Sequence, residues 1–142
     1  MMSRTRPTAK QRRSVKARAY GRCEYCQCQD DFATESFSIE HIIPVAVDGE
    51  TTLDNLAFAC QGCNSHKYTK TSAPDPVDGQ FVPLFHPRQH NWEDHFSWSE
   101  DFLEMIGLTS IGRATIVALK LNRQRVVNLR RAMYVLGEHP PL

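Results

Sequence analysis

Two cysteine pairs with identical spacing, Cys23-x-x-Cys26 and Cys60-x-x-Cys63, constrain this 142-residue chain more than any other feature. Two intervening residues let both thiolates of a pair grip one ion from a single turn. Two such pairs make a closed tetrahedral four-cysteine zinc site, structural because no position stays open for water. The pairs are 33 residues apart, longer than the roughly 15 to 20 of an ordinary zinc ribbon. Something sizeable is therefore held between them, with its ends pinned together. A small, loop-rich domain gains from that pinning, since structural zinc supplies on the order of 10 kcal/mol of folding free energy. Cys28 fits no third pair and reads as a spare thiol or an alternative ligand.

The length suits one domain over 1–142, and no apolar run approaches a membrane span. The N-terminus lacks the apolar stretch of a secretory signal, so cytoplasm is the expected location and reduced or metal-bound cysteines the expected state. Net charge is only +1, but it is unevenly spread. Residues 1–22 carry eight Lys/Arg and no acid, and residues 105–137 carry six and no acid. Two basic surfaces that meet phosphates are one reading; a solvated tail and helix face are the other.

Residues 1–7 read as a flexible basic tail. Thr8 caps a helix from Ala9 to about Tyr20, stopped by Gly21 and ringed by Lys10, Arg12, Arg13, Lys16 and Arg18. The alternation in Phe37–Ile43 predicts a strand that ends at Pro44, and Asp48-Gly49 predicts a turn. A short helix from about Cys63 carries Asn64 and Lys67 on one face. Residues 69–108 form a region rich in proline and aromatics, with a short strand at Gln80-Phe81-Val82 after an Asp78-Gly79 turn. Trp92, Phe96, Trp98 and Phe102 read as core or lid residues before base-stacking groups. Thr109 caps a helix to Leu121 and Asn122 another to Leu136. Their expected buried faces are Ile116, Leu119, Val126, Leu129, Met133 and Leu136.

Inside the insert stand Ile39-Glu40-His41-Ile42-Ile43-Pro44 and Asp54-Asn55-Leu56, and the second cysteine pair continues Asn64-x-x-Lys67. Over residues 21–68 this closely resembles the HNH endonuclease family. The family pattern is a cysteine pair, an acid then histidine in an apolar strand, Asn-Leu in the next loop, and Cys-x-x-Cys followed by His or Asn and a lysine. Residues 80–131, with Val82-Pro83-Leu84-Phe85 and Gly107-Leu108-Thr109, also look like a group of small stand-alone bacterial HNH proteins.

The resemblance implies a ββα-metal core and a role for each matching residue. His41 becomes the general base, since imidazole titrates near neutral pH. Asn55 aims it by accepting its Nδ1–H. Glu40 and Asn64 hold one divalent ion, Mg²⁺ or Mn²⁺ by their oxygen donors. Glu40 stands where aspartate is commoner and Asn64 where the final histidine of the name would be. His66 is a second-ranked substitute for that histidine. Lys67 reads either as a phosphate contact or as a surface lysine. Without Glu40, Asn55 and Asn64 in register, His41 would read as a core histidine; His86, His90, His95 and His139 lack such company.

The expected architecture is α+β: a zinc-clamped ββα unit with a flanking N-terminal helix and, over 109–137, C-terminal helices. The expected function is metal-dependent hydrolysis of DNA phosphodiesters, with RNA left open as a substrate and no membrane partner. The alternatives are a zinc-stabilised nucleic-acid-binding module that does not cut and, more remotely, a structural zinc protein that binds another protein. Nothing in the sequence specifies the oligomeric state.

Overall fold

Residues between the two cysteine pairs fold as an antiparallel hairpin followed by a helix. A computed structural model of the protein describes residues 5–141, so part of the expected basic tail, including Arg4, lies outside the described residues. Strand β1 (Ser38–His41) pairs antiparallel with β2 (Leu56–Ala59), placing Glu40 opposite Ala57 and His41 opposite Leu56. β2 is buried throughout and runs straight into α2 (Gln61–Lys67). This ββα-like region is flanked by α1 (Ala9–Arg18) before it and by the later helices after it.

Helix α1 is held at its start by a reciprocal capping box. Thr8 Oγ1 accepts the Gln11 N–H at 3.0 Å and Gln11 Oε1 accepts the Thr8 N–H at 2.9 Å, which satisfies two helix-end donors. Its buried contact is Val15, packed into the core. It ends at Arg18, two residues before the sequence predicts, with Tyr20 and Gly21 both at positive φ.

The loop after β1 returns through a position only glycine can fill. A Cβ on Gly49 would lie 1.7 Å from the Ile43 carbonyl oxygen. The Gly49 N–H donates to Pro44 O at 2.9 Å, and Asp48 before it takes the left-handed conformation, φ +68. The expected Asp48-Gly49 turn thus closes the loop that follows His41.

Beyond α2, β3 (Ser72–Pro74) and β4 (Phe81–Pro83) form a hairpin whose turn includes Gly79 at φ +76. Buried Asp75 fastens it to α4 (Ser110–Leu119) through a two-pronged bond to Arg113, at 3.0 and 2.7 Å. The aromatic stretch forms more regular structure than its composition suggests. A short helix α3 (Trp92–His95) leads into a hairpin of β5 (Phe96–Trp98) and β6 (Met105–Gly107). Phe96 and Met105 enter the core, Trp92 packs with tilted rings between Phe96 and Trp98, and the two tryptophans lie partly buried against that core, while Phe102 is 37% exposed.

Two expectations for the C-terminal helices need correction. Thr109 caps α4 as expected, but Arg123 rather than Asn122 precedes α5 (Gln124–Val135). Asn122 instead clamps β6, accepting the Met105 N–H at 2.7 Å and donating to Met105 O at 2.9 Å. Leu119 and Val126 are buried as predicted, while Ile116, Leu129 and Met133 are only partly covered. Leu136 is 62% exposed, because the helix has run past the core by then.

The loop return makes Gly49→Ala a test of how tightly His41's surroundings are built. The added methyl must displace backbone, which costs about 2 kcal/mol or more. In a chain of this size the melting temperature should fall by about 4–8 °C, with the cysteine metal content unchanged.

Candidate active site and metal centre

The four sulfurs of Cys23, Cys26, Cys60 and Cys63 lie within 4.8 Å of one another, all buried. The Cys26 and Cys60 sulfurs are 3.7 Å apart, close to the roughly 3.8 Å that a tetrahedron with bonds of about 2.3 Å requires. Each pair closes a turn by an N–H to sulfur bond, Cys26 to Cys23 at 3.5 Å and Cys63 to Cys60 at 3.3 Å. Burial pushes the Cys23 thiol well up, while hydrogen bonding with Cys23 first, then Cys28, pulls Cys26 well down. Four buried sulfurs share protons in this way unless a cation holds them all as thiolates. Donor type, number and spacing fit zinc. Cys28 lies against this set without belonging to it: its sulfur is 3.2 Å from that of Cys26, and its carbonyl accepts the Cys23 N–H.

Glu40, His41 and Asn64 line one cleft of about 350 Å³, together with Tyr68 and the Pro44–Ala46 turn. Strand alternation would send Glu40 and His41 to opposite faces, but β1 stops at His41 and the chain turns away. His41 remains partly exposed and Glu40 is 6% exposed.

Glu40 is the centre of a buried polar group. The Tyr25 hydroxyl donates to its Oε1, and the Lys67 ammonium lies 3.3 Å from its Oε2. Burial raises the Glu40 carboxyl above its ordinary range, and Lys67 pulls it partly back. Lys67 itself is 1% exposed and also donates to the Ile42 carbonyl at 2.7 Å. Its ammonium is therefore engaged inside the protein. This is not the surface lysine that one reading of its sequence position suggests.

The imidazole has a partner that sequence reasoning missed. His41 Nε2 lies 2.8 Å from Thr51 Oγ1. Gln11 of α1 donates to the Thr51 carbonyl at 3.1 Å, so the capping-box residue of α1 also positions the residue that holds His41. Thr51 is one of two adjacent threonines in a polar loop, and only the fold distinguishes it from Thr52. Burial lowers the His41 pKa below its ordinary value, which keeps the ring neutral at neutral pH.

Asn55 does not face His41. Its Oδ1 accepts the Ile43 N–H at 2.8 Å, and its Nδ2 donates to Ile43 O at 3.0 Å and Glu50 O at 2.8 Å. Its own carbonyl accepts the Ile42 N–H at 2.8 Å. Asn55 therefore staples together the two ends of the loop next to His41, and acts on the imidazole only through the backbone. Asn64 lies on α2 with its Nδ2 3.4 Å from Ser38 Oγ. His66 is outside the cleft, where burial and then Arg123 lower its pKa.

The cations of α1 divide into two groups. Lys10, Arg12 and Arg13 are exposed, and they bracket Gln11, which reaches the His41 loop. Lys16 pairs with Asp30 at 3.0 Å. Arg18 is half-buried, donating to the carbonyls of Leu53 and Leu56, and so braces the start of β2.

Two substitutions separate the metal centre from the loop staple. Cys60→Ser should abolish the one metal ion expected per chain by elemental analysis, and leave the protein unfolded or aggregated. Asn55→Ala should keep that ion but lower stability by about 2–4 kcal/mol in denaturant titration, since it strands buried backbone groups.

A comparison with curated proteins gives no match. The segment that carries the cysteine cluster, Glu40, His41, Asn55, Asn64 and Lys67 gives one, since residues 23–70 match the model of the HNH endonuclease family.

Proposed function

We propose that the protein is a metal-dependent endonuclease that hydrolyses DNA phosphodiester bonds, with His41 as general base and a single divalent cation. The observation that carries this reading is the convergence of Glu40, His41 and Asn64 on one cleft, within the segment that matches the HNH family. The exposed cations Lys10, Arg12 and Arg13 of α1 supply affinity for the phosphate backbone, on the helix whose Gln11 holds Thr51. Zinc in the four-cysteine cluster is structural in this reading.

The chemistry follows from the imidazole's partners. With the Thr51 hydroxyl accepting Nε2–H, the ring's lone pair is on Nδ1. There it takes the proton of a water as the water oxygen forms its bond to phosphorus and the bond to the 3′ oxygen breaks. Thr51 fixes the ring's direction, part of the task that Asn55 has by family resemblance. Asn55 keeps the loop in place. Glu40 and Asn64 present oxygen donors, which suit Mg²⁺ or Mn²⁺. When bound there, such an ion offsets the negative charge that grows on the phosphate and the leaving oxygen.

One observation favours a second reading. The Lys67 ammonium and the Tyr25 hydroxyl engage both oxygens of the Glu40 carboxylate. A zinc-stabilised module that binds nucleic acid without cutting it would look the same at this position.

Plasmid cleavage in Mg²⁺ or Mn²⁺ against EDTA separates the two. His41→Ala should slow cleavage by roughly 10²- to 10⁴-fold, the usual worth of a positioned base, and leave DNA affinity and cysteine-bound metal unchanged. Thr51→Val should slow it by about 10- to 100-fold through misaiming alone. The acidic limb of the pH–rate profile should lie below the ordinary histidine value of about 6.5, because a lowered pKa keeps His41 unprotonated to lower pH. Equal cleavage by His41→Ala would displace the assigned base. Binding without cleavage by the parent in either metal would establish the binding module.

Binding has its own test. Replacing Lys10, Arg12 and Arg13 with glutamine should reduce the salt slope of DNA affinity by up to about 3, one unit per lost phosphate contact. The same change at Arg18 should lower stability instead, since its guanidinium holds backbone carbonyls.

A further inference from the structure

Four thiolates around one Zn²⁺ carry a net charge of −2. Here that charge would sit in the hydrophobic core, where all four cysteines are buried. A buried dianion requires compensating charge nearby. The two N–H to sulfur bonds of the cysteine turns supply dipoles but no charge.

Two arginines approach the cluster, Arg123 at the sulfurs and Arg130 at the backbone of Cys26, both from the C-terminal third of the chain and outside the segment that matches the HNH family. Arg123 Nη2 is 3.5 Å from the Cys60 sulfur and 3.7 Å from that of Cys63, and Nη1 is 3.6 Å from Cys63. The guanidinium is held there by the end of α4, with Nη1 donating to Lys120 O at 3.1 Å and to Leu119 O at 3.4 Å. Arg130, 2% exposed, donates to the Cys26 carbonyl at 3.4 Å and to Leu121 O at 2.8 Å. Its other Nη donates to Leu103 O and Asn122 Oδ1, both at 3.0 Å, and the guanidinium sits 5.0 Å from the Trp98 ring centre. Among the described residues no carboxylate lies within ion-pair distance of either arginine.

Gly62, between Cys60 and Cys63, leaves room for this arrangement. A Cβ there would lie 2.5 Å from Arg123 Nη2. In a helix such as α2 alanine is otherwise the better residue.

We propose that Arg123 and Arg130 are the cationic outer shell of the tetrathiolate zinc site, and that Arg123 sets how tightly the ion is held. Arg123 meets the sulfurs directly, and Arg130 brings a second positive charge to the backbone of the first cysteine turn. The same contacts make zinc the anchor of the α4–α5 pair, so the ion fastens the C-terminal helices to the ββα region as well as closing its two cysteine turns. This rests on the four-cysteine cluster holding zinc and is independent of whether the protein cuts DNA.

The experiment is zinc release from the full-length zinc-loaded protein into a chromogenic chelator. Arg123→Met keeps the length of the side chain but removes charge and donors, and should release zinc about 10- to 100-fold faster, the usual effect of losing an outer-shell partner. Arg123→Lys keeps the charge without the fork and should fall between. Arg125→Met, the same change at an exposed position of α5, should match the parent. Gly62→Ala should also speed release, by pushing the guanidinium off the sulfurs, and should add little in an Arg123→Met background. In Co²⁺-loaded Arg123→Met the sulfur-to-metal charge-transfer band should move to lower energy, because thiolates without donors are more electron-rich. If Arg123→Met does not fold, Arg123→Lys and Gly62→Ala carry the same test. Parental release rates in these variants would overturn the proposal. So would equal acceleration by Arg125→Met, which would reduce the effect to net charge.

Discussion

The arrangement of the cleft depends on the meeting of two short turns, Cys23–Cys26 and Cys60–Cys63. Once their sulfurs are together, the first turn is aligned with β2: the Glu24 N–H donates to Phe58 O at 2.9 Å, and the Phe58 N–H donates to Glu24 Oε2 at 2.8 Å. The second turn fixes the start of α2, with Cys60 as its N-cap. A helix that begins at a fixed point presents fixed residues one and two turns later. Asn64 and Lys67 are delivered to the Glu40 side of the hairpin in this way. Removing the constraint would leave a four-residue strand pair and a seven-residue helix, each too short to persist alone.

The buried group of Tyr25, Glu40 and Lys67 carries that constraint to the cleft. Tyr25 lies between the cysteines of the first turn, Lys67 four residues after Cys63, and Glu40 in β1. Three segments placed by one cluster thus meet at one carboxylate. Such a group is weak evidence for stability, because desolvating a charge pair costs about as much as its attraction returns. It is good evidence for geometry, since each partner leaves the others few alternatives. Through the bond from Lys67 to the Ile42 carbonyl, the group also fixes the backbone immediately after His41.

Features set by local spacing were legible in the sequence. The paired cysteines, the Thr8 and Thr109 caps, the Asp48-Gly49 return and the strand through His41 each follow from residues close in the chain. The partners of polar side chains were not legible, because they are chosen by contacts between residues distant in the chain. His41 finds Thr51 rather than Asn55, Lys67 finds Glu40 rather than solvent, and Arg123 finds the cysteines of the second turn. The β5–β6 hairpin was also hidden, since its three-residue strands are too short for alternation to register and are stabilised by aromatic packing. Asn122 shows the same limit. Its sequence position suits a helix cap, yet its amide pairs with both polar backbone groups of Met105, which a cap role would leave without these partners.

Departures from local preference gather around the cleft. Tyr68 ends α2 at φ +50 and ψ −119, a conformation that glycine would adopt with less strain, yet it keeps a ring that is 76% exposed. Val45 and Val47 are 42% and 51% exposed on the turn after His41, although nothing about that turn requires apolar side chains. Lys67 and Glu40 are charged groups in the interior. A chain selected only for stability would place glycine at 68, polar residues at 45 and 47, and an apolar pair at 40 and 67. Of these residues Glu40, Val45 and Tyr68 line one cavity, with His41 and Asn64, and Lys67 reaches it through Glu40. Local rules broken together at one site indicate a requirement other than folding.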